Sequence, residues 1–277
     1  MERVALGIPS YGPAPVEWWL PLLRWALQAQ EIEKAEVVTV FNRATMDTAT
    51  NRNTIARMFL KFEPLIDWLW WIDYDNVNKP GALRRLLDIA SRGHTLVGGV
   101  YFGKNEEANP IMYDRMPDGT YKAKEDYTPG EIIQADAMGM NSLLCHRSVL
   151  EDIEKNYVAL QRKSGGTVAV HLDDLRGDVF DSYAAKEDEL VVDGVFQQRL
   201  YQPASPIDVP FFALEYRRTE DIGFFEMARR CGHWLVVDTG AEGDHLIVTA
   251  VTGKDYREKR KERLLGEQSE RTDPQPA

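Results

Sequence analysis

The sequence predicts an α/β protein whose central sheet is mostly parallel and flanked by helices. Three observations point to that class. Short apolar, strand-forming runs alternate with helical patterns from Val4 to Val100. One of them, Trp68-Leu69-Trp70-Trp71-Ile72, is apolar without a break, as a strand buried on both faces must be. That run stops abruptly at Asp73-Tyr74-Asp75, and ligands in such sheets collect at strand carboxyl ends.

Each element has its own justification. Val4 to Ile8 reads as a first strand ending in Pro9-Ser10-Tyr11-Gly12. Val16 to Gln28 carries apolar residues at helical spacing, and Glu36 to Phe41 reads as a second strand. Asn51 to Phe62 is a helix with Ile55, Met58, Phe59 and Phe62 on one face. Trp68 to Ile72 is the third strand. Pro80 starts a helix over Gly81 to Ala90 with Leu83, Leu86 and Leu87 inward, and Thr95 to Val100 is the fourth strand. This β-α-β-α-β-α-β order implies parallel pairing under a cover of helices.

The second half is less regular. Ile111 to Tyr113, Ile132 to Ala137 and Ser142 to His146 read as strands or edge segments, and Val149 to Tyr157 as a helix. From about 161 to 210 the pattern weakens into Gly165-Gly166, an acidic cluster and several prolines, read as a substrate-side insertion or mobile loop. A helix follows from Glu220 to Cys231, stopped by Gly232, and Trp234 to Val237 is a further strand. One domain is expected over residues 1–250, with halves of about 1–105 and 106–250. A charged tail over 251–277 is expected to be helical through Leu265 and disordered at its end.

The 277 residues, 44% hydrophobic, suffice for a substantial core. A net charge of −11 argues against sequence-independent nucleic-acid binding. Cys145 and Cys231 make neither a disulfide framework nor a zinc cluster, and free thiols fit a reducing cytoplasm. The start shows no signal peptide, and no apolar run approaches the roughly 20 residues of a membrane span.

Several groups stand out for chemistry. In an extended chain Asp73 and Asp75 would point to one side, and two carboxylates so placed call for a hard divalent cation between them. The competing reading is a solvated turn. Thr219-Glu220-Asp221 suits a helix start, where acids favour the dipole, or a general base held rigidly there. Arg52-Asn53 opens a helix, where a diphosphate, base or ribose is one partner and solvent the other. Ser10 and Tyr11 could bracket a nucleotide base. Gly139 in Gly139-Met140-Asn141 offers close backbone approach to a ligand, or a simple bulge. His245 in Gly243-Asp244-His245 is a nitrogen ligand only if it joins the two carboxylates.

Taken in order, Val4 to Ser10, Arg52-Asn53, Trp71 to Asp75, Gly98-Gly99-Val100-Tyr101, Gly139 to Asn141, Thr219 to Asp221 and Gly243 to His245 resemble the family 2-like glycosyltransferases of the GT-A fold, over about residues 3–247. The resemblance implies a GT-A-like, Rossmann-type sheet with an irregular acceptor-side region. It implies a nucleotide-sugar donor held by Pro9, Ser10, Tyr11, Arg52, Asn53, Asp73 and Tyr74, and an acceptor near Gly139, Met140 and Asn141. Mn²⁺ or Mg²⁺ would be held by Asp73, Asp75 and His245, with Asp75 the direct ligand and Asp73 nearer the ribose or a metal-bound water. Asp221, with Glu220 as second choice, would take the proton from an acceptor hydroxyl in an inverting transfer. No family pattern matches 161–210, which leaves the acceptor unidentified.

Three rivals share parts of this pattern. A haloacid-dehalogenase-like phosphatase also uses Asp-x-Asp after an apolar strand, with Asp73 as nucleophile. It normally carries that motif near the amino terminus, whereas two strand-helix units precede it here. A GT-A domain that binds a nucleotide sugar without turnover is the second. A nucleotidyltransferase is the third, and it would want a basic glycine-rich loop after the first strand, which Ser10 to Pro15 lacks.

Overall fold

Alternation along the first strand, β1 (Glu2–Ser10), sends Val4, Leu6 and Ile8 into one apolar layer and Ala5 into another. The same split recurs in β3 (Trp68–Trp71), where Leu69 and Trp71 face one layer and Trp70 the other. Strands that are apolar on both faces need cover on both, and the chain supplies it with helices. The structure, a computed structural model, describes residues 2–10, 32–44, 47–62, 65–104, 108–162, 167–175, 201–203, 209–213 and 219–245. These lie within one compact unit, Met1–Leu246; the other unit, Ile247–Ala277, lies outside the described residues. So do the expected helix over 16–28, Tyr11 and the charged tail.

An eight-stranded sheet forms the centre. Its other strands are β2 (Ala35–Ala44), β4 (Asn76–Asn78), β5 (Leu96–Tyr101), β8 (Ile132–Ala135), β10 (Leu143–His146) and β14 (Leu235–His245). The order is β2-β1-β3-β10-β5-β14-β4, with β8 also paired to β14. β1 pairs in parallel with β2 and β3, and β5 with β14. β10, β4 and β8 run against them. The mostly parallel α/β sheet expected from the sequence is therefore present.

Helix α1 (Thr48–Leu60) starts at Asp47, whose carboxylate caps the backbone N–H groups of Ala49 and Thr50. It buries Ile55 and Phe59 in the layer that also holds Leu150 and Ile153 of α3 (Arg147–Asn156) and Phe224 and Phe225 of α4 (Glu220–Arg230). The opposite layer belongs to α2 (Ala82–Ala90), whose Leu83, Leu86 and Leu87 meet Trp70 and Val97.

The structure corrects several sequence expectations. The expected loop over 161–210 contains strands: β11 (Tyr157–Arg162) pairs with β12 (Thr167–His171) and β13 (Tyr201–Pro203) in a small antiparallel sheet. Thr167-Val168-Ala169-Val170 is short and β-branched, and the glycines before it obscured the alternation. The helix expected to reach Tyr157 stops at Asn156. Another small sheet, β7-β6-β9, joins Tyr121–Ala123, Met112–Arg115 and Ala137–Met138. β14 runs eight residues beyond Val237, to His245. Its register against β5 shifts between Asp238 and Glu242, so its last residues leave β8 and pair with β4.

Arg147 ties α3 to the chain between α1 and β3. Its guanidinium donates to the carbonyls of Ile66 at 3.0 Å, Leu60 at 2.9 Å and Phe59 at 2.9 Å, and lies 4.5 Å from the Phe59 ring centroid. Arg147→Met would keep the stem but take a donor from three carbonyls, of which that of Phe59 keeps the Phe62 N–H. It should cost about 2–4 kcal/mol, read as a lower urea midpoint, because buried acceptors then lose charged donors.

Candidate active site

The turn after β3 and the start of α4 converge on one side chain near the start of α1, Arg52. Only 4% of Arg52 is exposed, so its charge requires partners. It has three. Its guanidinium donates to Glu220 at 3.0 Å and to Asp73 at 3.2 Å, and binds the Asp221 carboxylate as well. Two sequence motifs 148 residues apart, Asp73-x-Asp75 and Glu220-Asp221, thus share one cation (221 − 73 = 148). The surrounding carboxylates hold the Arg52 proton more firmly than in water, against the opposing effect of burial.

Three carboxylates around one guanidinium leave an excess of negative charge. Burial, the largest influence, pushes the Asp221 carboxyl up to about 7. Glu220 and Asp73 add to the rise, while Arg52 and the backbone N–H of Met140 oppose it. A carboxylic acid that titrates near neutrality at a helix start suits general acid–base work.

The Asp-x-Asp pair is not arranged as an extended strand would place it. β3 ends at Trp71, and Asn76 N–H donates to the Asp73 carbonyl at 3.0 Å, which closes a turn over 73–76. The two side chains therefore meet different partners. Asp73 faces Arg52, while Asp75 accepts from the Asn76 amide at 3.0 Å and holds the Lys104 ammonium. Among the described residues, no three His, Cys, Asp or Glu side chains gather as a ready metal cluster.

His245 nevertheless comes close to this turn. The β14–β4 register sets His245 opposite Asn76, the neighbour of Asp75. Its Nδ1 donates to the Phe102 carbonyl, and its ring packs edge-on against Tyr101 at 5.3 Å. With Nδ1 protonated, Nε2 carries the free lone pair, the arrangement a metal-binding imidazole requires.

The segment expected to meet an acceptor supports the carboxylates. Met140 is buried in the core and its backbone N–H serves Asp221, while the Asn141 side chain accepts the Asp73 N–H at 3.1 Å. The space over Gly139 is filled: a Cβ there would stand 1.6 Å from the Tyr101 hydroxyl. The glycine makes room for a tyrosine, not for a ligand. Asn53 is likewise committed. Its amide donates to the Phe212 carbonyl at 2.5 Å and accepts from the Phe212 N–H at 3.1 Å. Phe212 in turn stacks on Phe224 at 4.9 Å and meets Trp71 at 5.6 Å, so Asn53 fixes the packing of α4 on β3. Pro9 and Ser10 are buried at the end of β1, where the Asn51 amide donates to the Ser10 carbonyl at 3.0 Å. Tyr74 packs against the α2-side layer.

Two site residues carried no assignment from the sequence. Tyr101 is 4% exposed, and burial, with the charges of Asp73 and Asp221, pushes its phenol well above the usual value. It stays protonated at the heart of the cluster, held by the Asn141 backbone N–H. Lys104, three residues beyond the end of β5, is the cation on Asp75. A lysine just past a strand end is the signal that would have found it.

No protein-family model matches the chain, and no curated protein sequence matches it. Among solved structures, the crystal structure of A197 from STIV matches at 16% identity over 90% of this chain and 87% of that one, with a TM-score of 0.53. That likeness extends to the fold alone. A structure described as GalNAc-T7 with UDP, GalNAc and Mn²⁺ aligns at 10% identity over 89% of this chain and 44% of that chain, with a TM-score of 0.45. No helix among the described residues is long and apolar enough to cross a membrane.

The raised Asp221 carboxyl makes stability depend on pH. The folded chain holds that proton more tightly than the unfolded chain, whose carboxyl titrates near 3.8. This group's contribution is therefore full below about pH 4 and declines as the pH rises toward 7. Asp221→Asn should remove that slope. Thermal melts from pH 4 to 8 at fixed ionic strength should show the variant gaining on the wild type as pH rises; parallel curves would show that Asp221 titrates normally.

Proposed function

We propose that the chain is a metal-dependent glycosyltransferase that moves a sugar from a nucleoside-diphosphate sugar to an acceptor hydroxyl, with inversion. The observation that carries this reading is the Arg52 cluster, which joins Asp73 to Glu220 and Asp221 at the carboxyl rim of the sheet. The ordered motifs support the reaction class, and the cluster geometry is consistent with the roles proposed here.

Asp221 is the general base in this reading. Its carboxylate accepts the acceptor's proton as the acceptor oxygen bonds to the anomeric carbon and the bond from that carbon to the diphosphate oxygen breaks. A carboxyl that titrates near 7 is half-ionised at neutral pH, which suits a base that must be empty before the step and filled after it. Arg52 fixes where Asp221 and Asp73 point, and Glu220 shares that guanidinium.

Mn²⁺ or Mg²⁺ fits Asp75 and His245, the carboxylate in the 73–76 turn and the imidazole set opposite Asn76. Two protein donors suffice where a substrate's phosphates complete the shell. The ion would take the position beside Asp75 that the Lys104 ammonium holds. When bound, it would neutralise charge on the departing diphosphate. Asp73 stays with Arg52 and serves the ribose side of the donor.

Asp75→Ala should abolish donor turnover, and it should also erase the Mn²⁺-dependent rise in melting temperature with nucleoside diphosphates. A variant that keeps that rise would reject the metal assignment. Asp221→Asn should leave donor binding intact and cut transfer by about 10²-fold or more, the loss expected for a general base. Stopped assays with the preferred donor, with and without acceptor, distinguish the two variants. Retained anomeric configuration in the product, read by NMR, would remove Asp221 from this role.

A further inference from the structure

A cavity of about 500 Å³ lies along α4, beyond the Asp221 end of that helix, and the cluster does not use it. Its volume falls in the range of about 300–1,000 Å³ typical of small-molecule sites. We propose that this cavity binds a neutral oligosaccharide and serves as an acceptor subsite.

Three features carry the assignment. The first is Trp234, at the mouth of the cavity and 52% exposed. A tryptophan half in water offers an apolar face, and the C–H face of a sugar ring stacks on such a surface. The second is charge. The lining arginines are all paired: Arg230 with Asp174 at 2.6 Å, Arg229 with Asp136 at 2.6 Å and Arg115 with Glu226 at 3.7 Å. Compensated guanidinium–carboxylate pairs do not call for a phosphate. They present fixed, planar donors and acceptors, which match ring hydroxyls.

The third is Gly223. Glycine inside a helix weakens it. Among the described residues, a Cβ on Gly223 would meet only the Ala213 carbonyl, at 3.9 Å, so their packing does not explain the residue. The absent side chain leaves open the wall of the cavity nearest Asp221. Tyr113 and Arg115, two residues apart on β6, link the two regions. Burial, and after it the charge of Asp221, raises the Tyr113 phenol, and Arg115 meets Glu226 farther along the helix. On this proposal a chain of sugars runs from Trp234 past Gly223 toward the base.

The proposal rests on the glycosyltransferase reading for the ligand's role as acceptor, but its binding is measurable without any donor. Full-length protein would be applied to a printed array of neutral, sialylated and sulfated oligosaccharides. The strongest neutral ligand would then be titrated by calorimetry into wild type, Trp234→Ala, Trp234→Phe and Gly223→Leu. We expect neutral glycans to be retained. Trp234→Ala and Gly223→Leu should weaken binding about tenfold or more, and Trp234→Phe by much less, since it keeps a stacking face. Far-ultraviolet circular dichroism and the Mn²⁺-dependent shift with nucleoside diphosphates should stay at wild-type values in all three. Retention of acidic glycans alone, retention of none, or equal affinity across the variants overturns the proposal. Donor turnover without glycan binding rejects this cavity and leaves the enzyme reading standing; Trp234-dependent glycan binding without donor turnover does the reverse.

Discussion

A buried guanidinium shared by three carboxylates organises this protein. Arg52 reaches from α1 to the end of β3 and the start of α4, elements far apart in sequence. Charges inside a protein are tolerated only with partners and hydrogen bonds, and loss of one member leaves the others uncompensated. The cluster is also unbalanced. A proton on Asp221 offsets part of the excess, and the backbone N–H of Met140, which donates to Asp221, offsets more. Such a site is built to accept positive charge.

The scaffold around the cluster is packed to hold it still. Asn53 grips both backbone groups of Phe212, and Phe212 is wedged between Trp71 and Phe224. That contact sets the height of α4, and with it the position of Glu220 and Asp221. Tyr101 fills the space that Gly139 leaves open, and its ring supports His245. Gly98 performs a similar service inside the sheet, since a Cβ there would lie 2.1 Å from the Met138 sulfur. Small residues in these strands mark where large ones cross from the neighbouring layer.

The sequence made the frame legible and the site partly so. β1, β3, α2 and β5 announce themselves because burial imposes apolar periodicity on them. The end of β14 did not, because Gly240 and Gly243 interrupt the alternation beyond Val237; the shift of register against β5 and the pairing with β4 make it a strand. Arg52, Asp73 and Asp221 could each be singled out from local pattern, yet nothing in the sequence says that they touch. The inference that Asp73 and Asp75 point together failed because the chain turns at Asp73, and turn geometry depends on hydrogen bonds that residue types do not dictate. Asn53 and Gly139 looked like ligand contacts for the same reason: polarity and smallness serve packing as readily as binding.

Electrostatics also explains why the proposed donor would need a metal. Free diphosphate approaching this rim would meet Asp73, Asp75, Glu220 and Asp221 against the cations Arg52 and Lys104. Arg52 is buried and already committed to three carboxylates, so it has little attraction left for a phosphate outside the cluster. Lys104 is half-exposed and committed to Asp75. Two like-charged surfaces then face each other across a region of reduced dielectric, where repulsion is stronger than in bulk water. In the proposed reading, a divalent ion on Asp75 and His245 would reverse the sign on the donor side and leave the Asp221 end negatively charged, as a base requires. Sequence reasoning did not anticipate the division of the two carboxylates between separate partners; in the proposed reading it would let one rim hold a cation for the donor and a base for the acceptor.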